Sequence, residues 1–201
     1  MGSRLLRERL HEALQLQVPY QERSLPEKVW AAFQKARPAA VLALFSEDPG
    51  RFLFILRSAK LESHAGQIAF PGGMIDAGDS SPLAAALRET EEELGIAPSC
   101  IEPLGALPEL LTVTGFRVVP WVGRLLVDPS RLEFRPNPEE IEDYFWVDLE
   151  TLQQPENFRF EAVARGPVRL QTPVFHVEGR RIWGATGAMV RNLLDRLARV
   201  P

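Results

Sequence analysis

Leu6, Leu10, Ala13 and Leu14 recur at helical spacing, which predicts an amphipathic helix at the start of the chain. Pro26 suits the first turn of a second short helix. Residues 39–45 (AAVLALF) and 51–58 (RFLFILRS) are nearly unbroken apolar runs, and the SEDPG turn between them predicts a hairpin. Residues 60–67 are polar and read as a loop. Gln67–Phe70 predicts a short strand leading into Pro71-Gly72-Gly73. Ser81 and Pro82 are the cap and first residue of a helix running to Leu94 and stopping at Gly95. Residues 101–111 and 116–126 predict strands broken at Thr114-Gly115. Residues 128–140, rich in Pro, Asp, Glu and Asn, predict a surface loop. Residues 144–149 predict a strand with a short helical turn after it. Residues 172–184 predict a strand pair turning at Glu178-Gly179. A last helix begins near Ala185 and carries Met189, Leu193, Leu194 and Leu197 on one side. This order predicts an α/β fold on a mixed sheet.

The helix over 82–94 holds four carboxylates, Glu89, Glu91, Glu92 and Glu93. At about 100° per residue, Leu83, Leu87, Thr90 and Leu94 share one stripe, predicted to be the buried face. Glu89, Glu92 and Glu93 stand at i, i+3 and i+4 on another face, and Glu91 lies apart in solvent. Arg88, four residues before Glu92, can pair with it. Carboxylates about 6 Å apart repel by roughly 1–3 kcal/mol per pair, depending on the effective dielectric. Solvated, such a face is surface decoration; partly buried, it needs a cation or raised pKa values. Oxygen-only ligands select a hard ion, Mg²⁺ or Mn²⁺. On the helix alone both readings stay open.

The 201 residues suit one domain, with 45% apolar and 25% charged residues. A net charge of −4 argues against a nucleic-acid partner, which needs a basic face. Cys100 is the single cysteine, so an intrachain disulfide and a multi-cysteine zinc site are both excluded. No run of 18 apolar residues predicts a membrane span. The first segment alternates charge with leucine, unlike a signal peptide, and the expected compartment is the cytoplasm.

Gly73, Asp79 and the run Arg88-Glu89-Thr90-Glu91-Glu92-Glu93-Leu94-Gly95-Ile96 resemble the box of the Nudix hydrolases. That box has a glycine, five residues, Glu, seven residues, then Arg-Glu-apolar-x-Glu-Glu-x-Gly-apolar. Two features depart from it: Asp79 replaces the first Glu, and eight residues separate it from Arg88. The upstream stretch, with Arg57-Ser58, Gly66 and Phe70-Pro71-Gly72-Gly73, is similar to the signature of the coenzyme A pyrophosphatase-like branch. Glu62 stands where that branch usually has Arg. Residues 112–123 and 181–194 are similar to its downstream segments.

The resemblance implies a Nudix α/β/α sandwich with a mixed β-sheet over 38–201, and a helical extension over 1–37 packed on it. It implies cleavage of a nucleoside diphosphate derivative of the coenzyme A class, with Mg²⁺ or Mn²⁺ as cofactor. Glu89, Glu92, Glu93 and the Gly72 carbonyl are the implied metal ligands, and Glu89 or Glu140 the implied base. Arg57, Ser58, Lys60, Gln67 and Gly73 are the candidates for substrate contact. Arg57 reads as a phosphate clamp or a surface ion pair. His64 either donates to phosphate or shapes its loop, Asp79 is a turn residue or an outer ligand, and Arg88 is a helix pairing residue. ADP-ribose, NADH and a non-catalytic nucleotide-binding module are the rival readings.

Overall fold

The computed structural model describes residues 5–16, 31, 33–61, 63–165 and 168–200. The expected helix start at Pro26 and the departure at Glu62 lie outside the described residues; residues 31 and 33–35 are helical.

A sheet of eight strands forms the centre: β1 (Arg37–Ser46), β2 (Arg51–Arg57), β3 (Ile68–Ala69), β4 (Gly72–Met74), β5 (Ile101–Ala106), β6 (Leu110–Leu111), β7 (Phe116–Leu125) and β8 (Ile141–Asp148). Its backbone order is β3-β2-β1-β7-β5, with β4 on β1, β6 on β7 and β8 on β2. β1 and β7 run parallel and every other pairing is antiparallel, so the sheet is mixed. The hairpin over 46–50 pairs Phe45 with Phe52.

β1 reads as a continuous apolar run because both its faces are covered. Ala40, Leu42 and Leu44 pack with Ala85, Ala86 and Leu94 of α2 (Pro82–Leu94). Ala39, Ala43 and Phe45 pack on the other side, with Leu10 and Ala13 of α1 (Leu6–Gln15) and Met189, Leu193 and Leu197 of α4 (Gly184–Leu197). The buried Arg196 side chain donates to the carbonyls of Ala13 and Leu16, fastening α1 to α4. This is the α/β/α sandwich expected from the sequence.

Three features differ from expectation. The strand over 101–111 splits into β5 and β6, because the register slips between Pro103 and Gly105 and Pro108 has no N–H to pair. β8 begins at Ile141, three residues earlier than expected, before the short helix α3 (Leu149–Gln153). A further strand, β9 (Phe158–Arg165), joins β10 (Val168–Val177) and β11 (Arg180–Ile182) in a second, antiparallel sheet ordered β11-β10-β9. Its sequence signal is the alternation of Phe158 and Phe160 with Arg159 and Glu161.

Candidate active site

β1 and β2 pair only near their turn, and beyond it the chain over 68–74 enters between them. β3 pairs with β2 and β4 with β1, while the Leu42 amide donates to the Pro71 carbonyl at 2.8 Å. Gly72 at this crossing has φ of 143°, and a Cβ there would stand 2.3 Å from the Ala40 carbonyl oxygen. A Cβ on Gly73 would stand 2.5 Å from the Glu89 carboxyl carbon. Gly72 is therefore required where β4 crosses β1, and Gly73 leaves room for the Glu89 carboxylate where α2 lies against β4.

α2 is bounded as its sequence dictates. The Ser81 hydroxyl accepts from the Ala84 amide at 3.1 Å, and Gly95 ends the helix in the left-handed region. Its buried side differs from the expected stripe. Ala85, Ala86, Thr90, Glu93 and Leu94 are buried, whereas Leu83 and Leu87 are half-buried. The small alanines let the helix approach the sheet closely, which rolls Glu93 inward. The buried Thr90 hydroxyl is satisfied by the Ala86 carbonyl at 2.7 Å.

The three acids expected on one face thus have different surroundings. Glu93 is 1% exposed; its Oε2 accepts from the Gly72 amide at 2.9 Å and its Oε1 from Arg57 at 3.2 Å. Burial pushes its pKa up to about 8, and Glu89 and Glu140 push the same way, against the Gly72 amide and Arg57. Glu89 is half-buried, and burial raises its pKa too, with Arg88 opposing and Glu92 and Glu140 reinforcing. Glu92 is exposed, as is Glu91.

Arg88 gathers the rest. Its Nη1 donates to Glu89 and Glu92, each at 2.9 Å, and its Nη2 donates to the Met74 carbonyl at 3.1 Å. Its Nε and Nη2 fork onto Asp79, each at 3.0 Å. Asp79 also accepts from the Asp76 amide at 2.8 Å, and the Arg88 bonds with this amide hold its pKa below the usual carboxylate range. The extra residue of the box falls between Asp79 and Arg88, where Ser80 and Ser81 lead into α2, and Asp79 still meets Arg88.

The loop over 128–140 is tied to the helix end. The Arg135 and Asn137 amides donate to the Leu94 and Glu93 carbonyls at 2.9 Å each, satisfying last-turn acceptors. Asn137 also donates to Glu140 Oε1 at 3.3 Å, and the Glu140 carbonyl accepts from the Ser58 amide at 2.7 Å. Glu140 is thereby held beside Glu89 and Glu93, where its charge acts on both.

The remaining candidates line the loop after β2. The buried Ser58 hydroxyl accepts from the Lys60 amide at 3.3 Å, and Lys60 is exposed. His64 contacts Gln67 and, from across the loop, Thr114, a partner the sequence reading did not include. The structure therefore joins Glu93 with Arg57 and Gly72, and Asp79, Glu89 and Glu92 with Arg88. The Ser58 hydroxyl and Gln67 are engaged within the loop instead, and His64 ties the loop to Thr114. Among the described residues, no three acidic, histidine or cysteine side chains already converge as a ready metal cage. A cavity of about 450 Å³ lies elsewhere, between α1 and β5, lined by residues such as Arg7, His11 and Glu102. No described helix is long and apolar enough to cross a membrane.

The chain matches known proteins throughout this region. Residues 35–166 match the model of the NUDIX domain. The Nudix hydrolase NudL of Escherichia coli K12, itself uncharacterised, is 38% identical over 167 residues, covering 82% of this chain and 85% of that protein. NudL of Citrobacter koseri is 38% identical over 160 residues, covering 78% and 81%. The crystal structure of a MutT/nudix family protein from Enterococcus faecalis superposes with a TM-score of 0.53 at 15% identity, over 98% of this chain and 76% of that one, a likeness of fold. With the box on a glycine-docked helix and these matches over most of its length, the chain belongs to the Nudix hydrolases, enzymes acting on phosphoric anhydride bonds.

Proposed function

We propose that this hydrolase cleaves the pyrophosphate of coenzyme A or its derivatives to 4′-phosphopantetheine and adenosine 3′,5′-bisphosphate, with Mg²⁺ or Mn²⁺. The observation that carries the reading is Glu93. A carboxylate 1% exposed, with one arginine and two acidic neighbours, is short of positive charge. Oxygen ligands in that state fit a hard divalent cation. Glu89, Glu92 and Glu93 would hold the ion together with the Gly72 carbonyl. When bound, the ion neutralises phosphate oxygens and acidifies a water. Arg88 engages one oxygen each of Glu89 and Glu92, which leaves each carboxylate a second oxygen for the ion, and Asp79 remains its forked partner.

Glu89 is suited to take a proton from the attacking water, because burial lifts its pKa toward the working pH. Glu140 flanks it and is the second candidate base. Arg57 gives Nη1 to Glu93 and has further N–H groups to fork onto phosphate. Lys60 is exposed on the same loop, and Ser58, Gln67 and Gly73 complete the substrate contacts. The coenzyme A class is favoured by the Arg57-Ser58, Gly66 and Phe70-Pro71-Gly72-Gly73 pattern.

Incubating the protein with coenzyme A, an acyl-coenzyme A, ADP-ribose and NADH, with Mg²⁺ or Mn²⁺, and separating the products tests the reading. The expected products from coenzyme A are the two named above. Preference for ADP-ribose or NADH would replace the substrate and keep the chemistry. Binding of these nucleotides without cleavage would favour a binding module.

A further inference from the structure

The loop over 58–67 follows Arg57, the last residue of β2, and carries Ser58, Lys60 and Gln67. Backbone bonds close its neck: the Gly66 amide donates to the Arg57 carbonyl and the Arg57 amide to the Gln67 carbonyl, both at 3.0 Å. Its far side is held by His64. The Nδ1 of His64 is 2.9 Å from Gln67 Oε1, and its Nε2 is 3.1 Å from Thr114 Oγ1. Thr114 Oγ1 is 3.0 Å from Thr112 Oγ1, which accepts from the Phe116 amide at 2.9 Å.

These bonds have one consistent direction for a neutral ring. The Gln67 oxygen only accepts, so Nδ1 carries the proton and Nε2 accepts. Thr114 must then donate to Nε2 and receive from Thr112. The chain runs from the Phe116 amide through Thr112, Thr114 and His64 to Gln67, and every hydroxyl in it is used. His64 makes these contacts at φ of 59°, in the left-handed region, which a residue other than glycine keeps only where its surroundings hold it. Its ring also lies 6.3 Å from the Phe116 ring, on which Arg37 stacks at 4.1 Å. The arrangement has the form of a latch between two loops, with Arg57 at its base.

We propose that His64 is a positioning residue: through Thr114 it locks the loop over 58–67 to the turn over 112–116 and so sets where Arg57 and Lys60 meet the substrate's phosphates. The inference rests on the reading above that Arg57 and this loop bind substrate.

Thr114→Val removes the hydroxyl and keeps the shape. With coenzyme A and Mg²⁺ it should raise KM about three- to tenfold, the scale of one lost hydrogen bond, and leave kcat within about twofold. Thr114→Ser should restore KM. His64→Ala should raise KM by a similar factor, and the double variant should add nothing, since both break one link. A wild-type KM in Thr114→Val, or full additivity, overturns the latch. A lower melting temperature with unchanged KM also overturns it, because that is what a purely structural tie would give. An independent measurement is the imidazole nitrogen NMR signature without substrate. A single Nδ1–H tautomer is expected for His64, becoming a mixture in Thr114→Val. A mixture in the wild type overturns the latch whatever the substrate. If the wild-type protein ignores coenzyme A, yet holds a single tautomer that Thr114→Val turns into a mixture, the substrate assignment fails and the latch stands.

Discussion

Glu93 and Glu161 are both glutamates bonded to arginine, and they lie at opposite ends of the carboxylate range. Glu161 stands on the three-stranded sheet and accepts from His176, Arg181 and Arg159, each at 2.7 Å. These bonds, His176 first, pull its pKa down to about 2. Glu93 has one arginine and one amide, is buried, and faces Glu89 and Glu140; burial above all lifts it to about 8. The partner type is the same and the balance of charge is reversed. Where cations outnumber the carboxylate, the cluster is complete as folded. Where carboxylates outnumber the cation, the cluster is poised for another positive charge.

The largest expected effect follows from that deficit. Glu93→Gln keeps the shape and the bond from the Gly72 amide while removing the charge. Its kcat with saturating Mg²⁺ should fall at least about 10²-fold, the low end for losing a transition-state charge stabiliser. Near-normal turnover would take Glu93 out of the chemistry.

The second effect is on stability without metal. A carboxyl raised from 4.5 to about 8 holds a proton in the folded state that the unfolded chain has released. Its stabilisation is complete below the unfolded pKa and is lost as pH rises through the folded one. In chelator, denaturant melts should therefore lose up to about 1.4 kcal/mol per pH unit between pH 5.5 and 7.5. Glu93→Gln should flatten this slope, and Mg²⁺ should oppose it in the wild type. The low-lying Glu161 and Asp79 act in the opposite sense. Their contributions are lost only as pH falls through their depressed values, outside this window. An unchanged slope in Glu93→Gln would assign it to other groups.

Much of this contrast could be read along the chain, and the reason it was not complete is physical. Ser81, Pro82 and Gly95 act locally, so the limits of α2 were legible from residue chemistry alone. The pairing of Arg88 with Glu92 follows from helix geometry and was legible too. Which face of α2 is buried is set instead by its docking on β4 through Gly73, a contact sixteen residues away from Glu89. Leucine spacing therefore pointed to Leu83 and Leu87, while the closest approach occurs at Ala85, Ala86 and Glu93. The Glu161 cluster was not legible because it needs residues from three strands brought into register, and β9 was not itself expected.

Gly73→Ala probes the same deficit from the glycine side, with a smaller effect. The Cβ would stand 2.5 Å from the Glu89 carboxyl carbon and 2.6 Å from both its oxygens, the mobile end of a side chain. The fold can yield there, and Glu89 cannot keep its position. The expected result is a loss of about tenfold in kcat with little change in melting temperature, since displacing a reacting group by a fraction of an ångström is enough to slow chemistry. Equal losses of stability and activity would mean that the glycine serves packing alone.

Glu161→Gln is the smallest expected effect and the sharpest control on the charge-balance argument. It leaves Arg159, Arg181 and His176 together without their carboxylate. The penalty is mutual repulsion at a solvent-facing cluster, so it should appear as a modest fall in melting temperature that shrinks as salt is added. Turnover should stay within about twofold, because no described contact links this sheet face to Glu93 or Arg57. The same glutamate-to-glutamine change thus separates the two regions: at Glu93 it removes activity and steadies the metal-free fold at high pH, and at Glu161 it weakens the fold and spares activity. A salt-insensitive collapse of turnover in Glu161→Gln would show that cation surplus does not mark a closed structural cluster, and would bring the second sheet into the active site.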